Sequence, residues 1–421
     1  MTVSTAEAAH FVLGLALMLG SAHGMGALFR MSRQPAVVGE IVGGLVLGPS
    51  VLGMLLPEFH GLVFGHAGTS GAMLGAISQL GLLLLMFCSG VDVGTAFPRG
   101  QRVTTVLVTL SGTLLPFLVG LLVVQQIEVQ QFLGGARSRT AFVLVFAAAI
   151  AVTSIPVIAR IFLDLGILDT NFARIVIGAA VIEDVALYVI LGIALSIAGA
   201  ATGSAFGLPA ILELHGASTS AFGYHVVVNF GFITLASTAG PWLLTRARLG
   251  KVADGTLVLV VLLATCSLGL WLGVALIYSA FVVGIAVGAV CRDSGSLRSI
   301  REFAFAFLVP VYFASVGASL DLVHHFEPTL FFLFLVGACA VKASSVYLGA
   351  RLAGESRVGA GNIAVAMNAR GGPGIVLASV AYNAGVIAET FYVVLVLLAI
   401  VTSLMAGAWL DFVVRNKWAL R

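Results

Sequence analysis

The chain has 421 residues, of which 60% are hydrophobic and 9% are charged, with a mean hydropathy of +1.12 and a formal net charge of +3. Soluble domains carry about 25% charged residues, so this composition excludes a soluble fold. It predicts an all-α polytopic membrane protein, because apolar stretches of roughly 20 residues, long enough to cross a bilayer as a helix, recur along the whole chain.

Thirteen such stretches are numbered here as spans 1 to 13. They lie at residues about 8–29, 35–56, 73–91, 103–124, 140–163, 171–199, 224–245, 253–271, 273–291, 303–320, 328–350, 358–385 and 390–412. Almost no chain separates spans 8 and 9, so a bundle of twelve helices is the main alternative.

The basic residues distinguish these two counts, since Lys and Arg collect in cytoplasmic loops. When thirteen spans alternate, 17 of the 21 basic residues fall on one side, Arg137 and Arg139 fall on the other, and Lys342 and Arg370 lie inside spans. Merging spans 8 and 9 would destroy this asymmetry. It predicts a multi-pass protein of a bacterial-type cytoplasmic membrane, with the N-terminus outside and the C-terminus in the cytoplasm.

Spans 2 and 3 each resemble a segment seven spans later. Span 3 ends in LLLLMFCSGVDVG and span 10 in FLVPVYFASVGASLDL, while VVGEIVGGLVLGPS of span 2 and ALIYSAFVVGIAVGAV of span 9 share the glycine spacing of closely packed helices. An odd offset gives the two copies opposite orientations, which predicts the inverted repeat of many secondary transporters. Chance similarity between glycine-rich helices is the alternative.

Spans 5 and 12 occupy matching places in the two copies, and both contain helix-breaking residues. Span 5 contains AVTSIPVIAR, with Thr153, Ser154 and Pro156, and span 12 contains MNARGGPGIVLAS. Proline removes a backbone donor and adjacent glycines favour non-helical backbone, so both helices are expected to be interrupted near mid-membrane. Freed carbonyls and helix ends at such breaks can hold an ion.

Five charged side chains lie within spans and more than three residues from either end of the span, and an ionised side chain at a helix centre costs ~2.5 to 3.5 kcal/mol. They are Glu40 in span 2, the adjacent Glu183 and Asp184 in span 6, Lys342 in span 11 and Arg370 in span 12. Three acids and two bases leave a deficit of one positive charge, which a monovalent cation or a proton would supply. Adjacent helical residues point about 100° apart, so one acid can face an ion pathway while the other contacts a neighbouring helix.

The alternative for these charges is a purely structural ion-pair network, most directly Glu183 with Lys342 or Arg370. Glu40, near the end of its span, is at most an accessory residue. Other classes of function have weaker support: an intramembrane hydrolase would need a nucleophile with its base or a zinc motif such as HExxH, and a channel would be impeded by the fixed bases. We therefore predict a protein that is not an enzyme, uses no cofactor and binds no nucleic acid.

A transporter of an organic solute on a similar inverted-repeat fold remains the second transport hypothesis. It would require a larger cavity lined by polar or aromatic residues, whereas spans 5, 6 and 12 are mostly small and aliphatic.

Seven segments, in this order and spacing, resemble the monovalent cation:proton antiporter-2 family, which includes bacterial Kef-type and sodium/proton antiporters and plant cation/proton exchangers. They are QPAVVGEIVGGLVLGPSVLG, LLLLMFCSGVDV, AVTSIPVIARIFLDLGIL, AAVIEDVALYVILGIAL, VYFASVGASLDL, VKASSVYLGARLAG and MNARGGPGIVLASVAYNAGVI. The likeness runs from about residue 8 to the C-terminus. It implies exchange of Na⁺ or K⁺ for H⁺ on a sodium/proton antiporter fold with two crossed broken helices.

The resemblance also implies a homodimer in membrane lipid. A dimerisation scaffold, at residues about 8–91 and 224–320, would support a mobile core, at residues about 103–199 and 328–412, which works as an elevator. The chain ends at Arg421 without the cytosolic nucleotide-binding domain of Kef-type members. Regulation of that kind is therefore expected to be absent or to come from a separate subunit.

Residue by residue, Asp184 matches the ion-carrying aspartate of this family and Lys342 matches the basic residue on the facing helix. Thr153 and Ser154 match the unwound segment beside the site, and Arg370 matches the basic residue of the second broken helix.

Glu183 departs from the family pattern, which usually has Asn, Asp or Gln at this place. An acid there resembles the electrogenic members with two carboxylates, so Glu183 is a second candidate cation ligand beside Asp184. Its longer side chain could instead reach a structural base. The sequence leaves both the stoichiometry and the choice between Na⁺ and K⁺ open.

Overall fold

The computed structural model of the chain describes residues 4–32, 34–64, 69–95, 102–168, 170–201, 206–214, 219–246, 255–291 and 294–420. Within these ranges the chain is helical, apart from connecting turns and one isolated bridge between Leu133 and Ile387. Its α-helices are α1 (Thr5–Met31), α2 (Ala36–Leu47), α3 (Leu52–Leu55), α4 (Pro57–Phe64), α5 (Thr69–Thr95), α6 (Arg102–Val123), α7 (Arg139–Ala151), α8 (Ile155–Asp164), α9 (Asn171–Ala201), α10 (Leu208–Ile211), α11 (Thr219–Arg246), α12 (Gly255–Trp271), α13 (Leu276–Val290), α14 (Gly295–Phe303), α15 (Val309–Ala318), α16 (Leu322–His325), α17 (Pro328–Leu352), α18 (Arg357–Ala366), α19 (Gly371–Asn383) and α20 (Glu389–Arg415).

The described residues contain ten segments long and apolar enough to cross a membrane, and three shorter apolar helices, α7, α12 and α13. Together these thirteen follow the order of the thirteen predicted spans. The close pair α12 and α13 is separated at Gly273, whose φ of 74° is a left-handed conformation that glycine adopts without strain. The thirteen-helix prediction is therefore confirmed. Several loop residues used for the charge count lie outside the described residues: Arg33, Arg99, Arg248, Lys251, Arg292 and Arg421.

The helices of one copy of the repeat pack against helices of the other copy. Helix α2 (span 2) packs along α15 (span 10), and α5 (span 3) packs along α13 (span 9). A Cβ atom added at Gly44 of α2 would collide with the carbonyl oxygen of Ala314, and one added at Gly284 of α13 would collide with that of Phe87. Each helix pair thus depends on a glycine, on α2 in one pair and on α13 in the other, that lets the two backbones touch.

The other helix of each pair, α5 or α15, contributes an equivalent glycine. Gly90 of α5 faces the carbonyl oxygen of Phe281, and Gly317 of α15 faces that of Ile41. Phe281 and Ile41 each lie three residues before the glycines at 284 and 44, so one contact pattern occurs twice. This duplication is the structural form of the repeat predicted from the sequence.

Both predicted broken helices are interrupted where the sequence places proline or glycine. Helix α7 ends at Ala151 and α8 begins at Ile155, while α18 ends at Ala366 and α19 begins at Gly371. The two interruptions cross and are hydrogen-bonded, since the Ser154 N–H donates to the Ala369 carbonyl at 2.6 Å. The crossing places four helix ends at one point of the bundle.

Candidate ion-binding site

Helix α9 presents the two adjacent acids to this crossing. It packs against both halves of the first broken helix, α7 and α8, and also against α6 and α19. Glu183 and Asp184 lie near its middle, and their side chains are 2% and 0% exposed. Both carboxylates are therefore removed from water and from lipid, so their energy depends on the groups that surround them.

Lys342 of α17 forms an ion pair with Glu183. Its Nζ lies 2.9 Å from both carboxylate oxygens of Glu183, and also donates to the carbonyls of Gly112 (2.8 Å) and Ala151 (2.5 Å). The ammonium group thereby links α6, the end of α7 and α9. Of the two bases proposed as structural partners of Glu183, the structure selects Lys342.

Asp184 lies beside this pair without joining it. Neither of its carboxylate oxygens has a hydrogen-bond partner among the described residues. Glu183 and Lys342 are the charged groups that act on it. A buried carboxylate without a partner is costly to maintain, and such exceptions in native structures require a functional explanation.

Arg370, at the second interruption, hydrogen-bonds backbone carbonyls instead of an acid. Its guanidinium group donates to the carbonyls of Ala149 (3.3 Å), Ile150 (3.2 Å) and Ala338 (3.0 Å), and to the side chain of Asn368 (3.2 Å). Ala149 and Ile150 belong to the last turn of α7, where the helix carries partial negative charge. The fixed positive charge of Arg370 therefore compensates the end of a half-helix.

The hydroxyl groups of Thr153 and Ser154 stabilise the interruption itself. Thr153 Oγ1 donates to the Met367 carbonyl at 2.6 Å, which connects the two unwound segments, and Ser154 Oγ accepts the N–H of Val157 at 3.4 Å as the N-cap of α8. Both residues are fully buried. Each hydroxyl oxygen retains a lone pair that can accept a further hydrogen bond or coordinate a cation.

Glu40 does not belong to this cluster. It lies on α2 where that helix faces α1, with its Cγ atom 3.4 Å from the position of a Cβ on Gly26, and Arg30 is the charged group that acts on it. The predicted deficit of one positive charge, which counted Glu40 among five intramembrane residues, is therefore wrong for this site. The four that meet, Glu183, Asp184, Lys342 and Arg370, are balanced when Asp184 is ionised.

Two residues that shape the site, Gly112 and Ser403, are not among those predicted from the sequence. A Cβ on Gly112 would lie 2.8 Å from Oε1 of Glu183, so this glycine makes room for the ion pair. Ser403 of α20 accepts the N–H of Gly371 at 3.0 Å and caps α19. A glycine within LSGTLL of span 4 and the hydroxyl pair of VTSLM in span 13 are the sequence features that could have indicated them.

A cavity of 610 Å³ lies between helices of the predicted scaffold and helices of the predicted core. It is lined by residues of α1, α5 and α15 on one side and by α19 and the start of α20 on the other. A 2.6 Å hydrogen bond between Tyr312 and Ser379 joins the two sides.

Comparison with known proteins gives consistent matches along almost the whole chain. The family profile described as sodium/hydrogen exchanger, transmembrane, matches residues 15–416. The Na(+)/H(+) antiporter NhaS4 of Synechocystis sp. is 27% identical over 399 residues, 93% of this chain and 94% of the relative. The Na(+)/H(+)-K(+) antiporter GerN of Bacillus cereus is 26% identical over 406 residues, 96% of each chain.

Among solved structures, the sodium proton antiporter MjNhaP1 from Methanocaldococcus jannaschii superimposes with a TM-score of 0.67 over 97% of this chain and 98% of that one. The sequence identity is 14%, so the superposition is informative about the fold alone. It supports the sodium/proton antiporter fold predicted from the sequence.

Proposed function

The chain belongs to the sodium/hydrogen exchanger family, and we propose that it exchanges a monovalent cation, Na⁺ or K⁺, for protons, with Asp184 as the carboxylate that both ions share. One observation carries this assignment: Asp184 is fully buried, and neither of its oxygens has a hydrogen-bond partner among the described residues. Sodium/proton and potassium-linked names among relatives that match more than nine tenths of the chain favour an inorganic cation over an organic solute.

Coupling follows from competition at this carboxylate. The ionised form of Asp184 attracts a cation, which the carbonyl and hydroxyl oxygens at the crossing, including Thr153 Oγ1, would help to coordinate. The protonated form is neutral and holds no cation. Because one carboxylate cannot carry both ions, the protein returns across the membrane with one or the other, and the gradient of one ion drives transport of the other.

The pair between Glu183 and Lys342 determines the stoichiometry in this proposal. If the pair remains closed through the cycle, Asp184 alone titrates, one proton is exchanged for one monovalent cation, and transport moves no net charge. If binding of the cation recruits Glu183 as a second ligand, Lys342 loses its partner and releases a proton, and the exchange becomes electrogenic. The closed pair favours one-for-one exchange, in which Glu183 has a structural role and does not bind the cation.

The two sides of the site would be exposed in turn by movement of the core against the scaffold. We infer this elevator motion from the 610 Å³ cavity at the boundary of the two groups of helices, with the bond between Tyr312 and Ser379 as a contact that would break and reform. The scaffold helices would form the homodimer. The excess of basic residues on one side supports a cytoplasmic C-terminus, and in that orientation this cavity would open to the external face.

Transport by purified protein in liposomes tests the proposal. With an imposed pH gradient and an internal pH dye, addition of Na⁺ or K⁺ is expected to dissipate the gradient for the wild type and not for Asp184→Asn. A matched control is Asp411→Asn, which alters an acid paired with Arg415 on α20 and is expected to transport normally. Coupled transport by a folded Asp184→Asn variant would disprove the assignment.

Repeating the assay with the membrane potential clamped at different values separates the two stoichiometries. Rates that do not change with potential support one-for-one exchange with Glu183 outside the cycle. If neither cation dissipates the gradient, the proposed substrate is wrong even though the fold stands.

A further inference from the structure

A second cavity, separate from the ion-binding site, lies inside the core between α6, α7, α17 and α20. It has a volume of 320 Å³, and its lining consists of apolar residues only. We call it the phenylalanine pocket, after Phe132, Phe142, Phe146, Phe334 and Phe391, which line it together with aliphatic side chains. Because no polar group lines it, neither water nor an ion would be stabilised there, whereas apolar cavities in proteins bind hydrocarbon.

The pocket opens towards the surface that would contact lipid. Leu333 of α17 and Val123 of α6 both line it, and they are 72% and 41% exposed. In a chain that crosses the membrane, exposed apolar side chains of spanning helices meet acyl chains. Gly337 of α17 also lines the pocket, and a Cβ placed on it meets no atom within 4 Å, so the helix leaves space at this position.

A positive charge lies one helix turn from the lining of the same pocket, because Arg139 precedes the lining residue Phe142 by three residues on α7. Arg139, the first residue of α7, donates to Oε1 of Gln125 at 3.0 Å, and Gln125 lies between the lining residues Val123 and Ile127. Arg139 and the nearby Arg137 are the two basic residues that the charge count assigns to this side of the membrane. An apolar pocket with a guanidinium group nearby matches an amphiphile that has a hydrocarbon chain and a phosphate.

We propose that the phenylalanine pocket binds a membrane phospholipid, with one acyl chain in the pocket and the phosphate at Arg139. The lining of the pocket includes Ile150 and Ala338, whose carbonyls accept hydrogen bonds from Arg370 at 3.2 and 3.0 Å. An acyl chain seated there packs against the segments that hold Arg370. The bound lipid therefore supports the end of α7 beside the ion-binding site.

Photolabelling in vesicles tests this proposal independently of transport. The probe is phosphatidylglycerol with a diazirine near the end of one acyl chain, and adducts are located by peptide mass spectrometry. We expect adducts in the wild type to concentrate on residues 119–132 and 330–341. The Gly337→Phe variant, which fills the pocket, is expected to lose most of these adducts while retaining those on α11.

Gly231→Phe is the matched control, because Gly231 is an exposed glycine within a spanning helix and a Cβ there also meets no atom within 4 Å. It should leave the labelling of the pocket unchanged. If Gly337→Phe does not fold, Gly337→Leu provides a smaller filling residue. Wild-type adducts spread evenly over all lipid-facing helices, or adducts that persist in a filled pocket, would overturn the proposal.

The phosphate contact is tested separately with Arg139→Gln and with a fatty acid that carries the same diazirine. We expect Arg139→Gln to reduce labelling by the phospholipid at the pocket, and the fatty acid to label the wild type less than the phospholipid does. Equal labelling by both probes, unchanged in Arg139→Gln, would contradict a phosphate site at Arg139.

Discussion

Lys342 Nζ lies 2.9 Å from both carboxylate oxygens of Glu183, and this bond divides two adjacent acids into a paired one and a free one. Both members of the pair are almost completely buried. Removing one partner of a buried ion pair leaves an uncompensated charge, whereas replacing both with apolar side chains is often tolerated.

From this pair we predict that Lys342→Met destabilises the protein by about 3–5 kcal/mol and that the double variant Glu183→Leu/Lys342→Met recovers much of the loss. Thermal unfolding of the purified protein in detergent, for both single variants and the double variant, measures the coupling. A Lys342→Met protein that melts with the wild type would show that the pair does not form.

Arg370 provides a prediction about geometry as distinct from charge. Its planar guanidinium group reaches carbonyls on α7 and α17 as well as Asn368, a set that a lysine ammonium cannot span. Hydrogen bonds to charged groups are worth about 1.5–3 kcal/mol each, so Arg370→Lys should lower the melting temperature and reduce exchange although the charge is kept.

The control for this change is Arg351→Lys. Arg351 lies in the last turn of α17, and its guanidinium group donates a hydrogen bond to the carbonyl of Glu355, just beyond the helix. The melting temperature and exchange rate of Arg351→Lys are expected to remain close to those of the wild type. Equal effects of the two substitutions would argue against a special role of the guanidinium group at the crossing.

The repeated glycine contacts predict matched effects in the two halves. Gly44→Ala and Gly284→Ala each place a Cβ against a backbone oxygen of a neighbouring helix, which cannot move without displacing that helix. Both variants should yield little folded protein by size-exclusion chromatography. Gly20→Ala on α1, where a Cβ meets no atom within 4 Å, is the control and should fold normally.

The hydrogen bonds of Asp321, in the turn before α16, lead us to predict that part of the protein's stability depends on pH. Slight burial acts to raise its pKa, but hydrogen bonds from the His324 side chain (2.7 Å) and from the N–H groups of His324 and Val323 outweigh this and lower the pKa below its usual value. A carboxylate with a lowered folded-state pKa contributes stability above its unfolded pKa of about 3.9, and this contribution is lost as the pH falls through the folded value.

The expected result is that wild type melts at a higher temperature than Asp321→Asn at about pH 6, and that the difference disappears as the pH falls below about 3.9. Asp321→Ser can still cap α16 without a titrating group, so it should show no such pH-dependent component. A constant difference between wild type and Asp321→Asn over this range would exclude the proposed titration.

Hydropathy, charge and helix-breaking residues are local properties, and they were enough to predict the thirteen helices, the two interruptions and the inverted repeat. The same reasoning identified Glu183, Asp184, Lys342 and Arg370 as intramembrane charges. These predictions depend on the length of apolar segments and on the backbone limits of proline and glycine, which act within a few residues.

The pairing of these charges was decided only by the tertiary structure. Glu183 and Asp184 point about 100° apart, so the rotation of α9 about its axis, which depends on packing against α6 and α7, determines which acid meets Lys342. The same long-range packing brings Arg370 to the carbonyl end of α7 and places Glu40 against α1, apart from the other charges. Adjacent acids are equivalent in a sequence, but helix packing makes one a structural partner and leaves the other free.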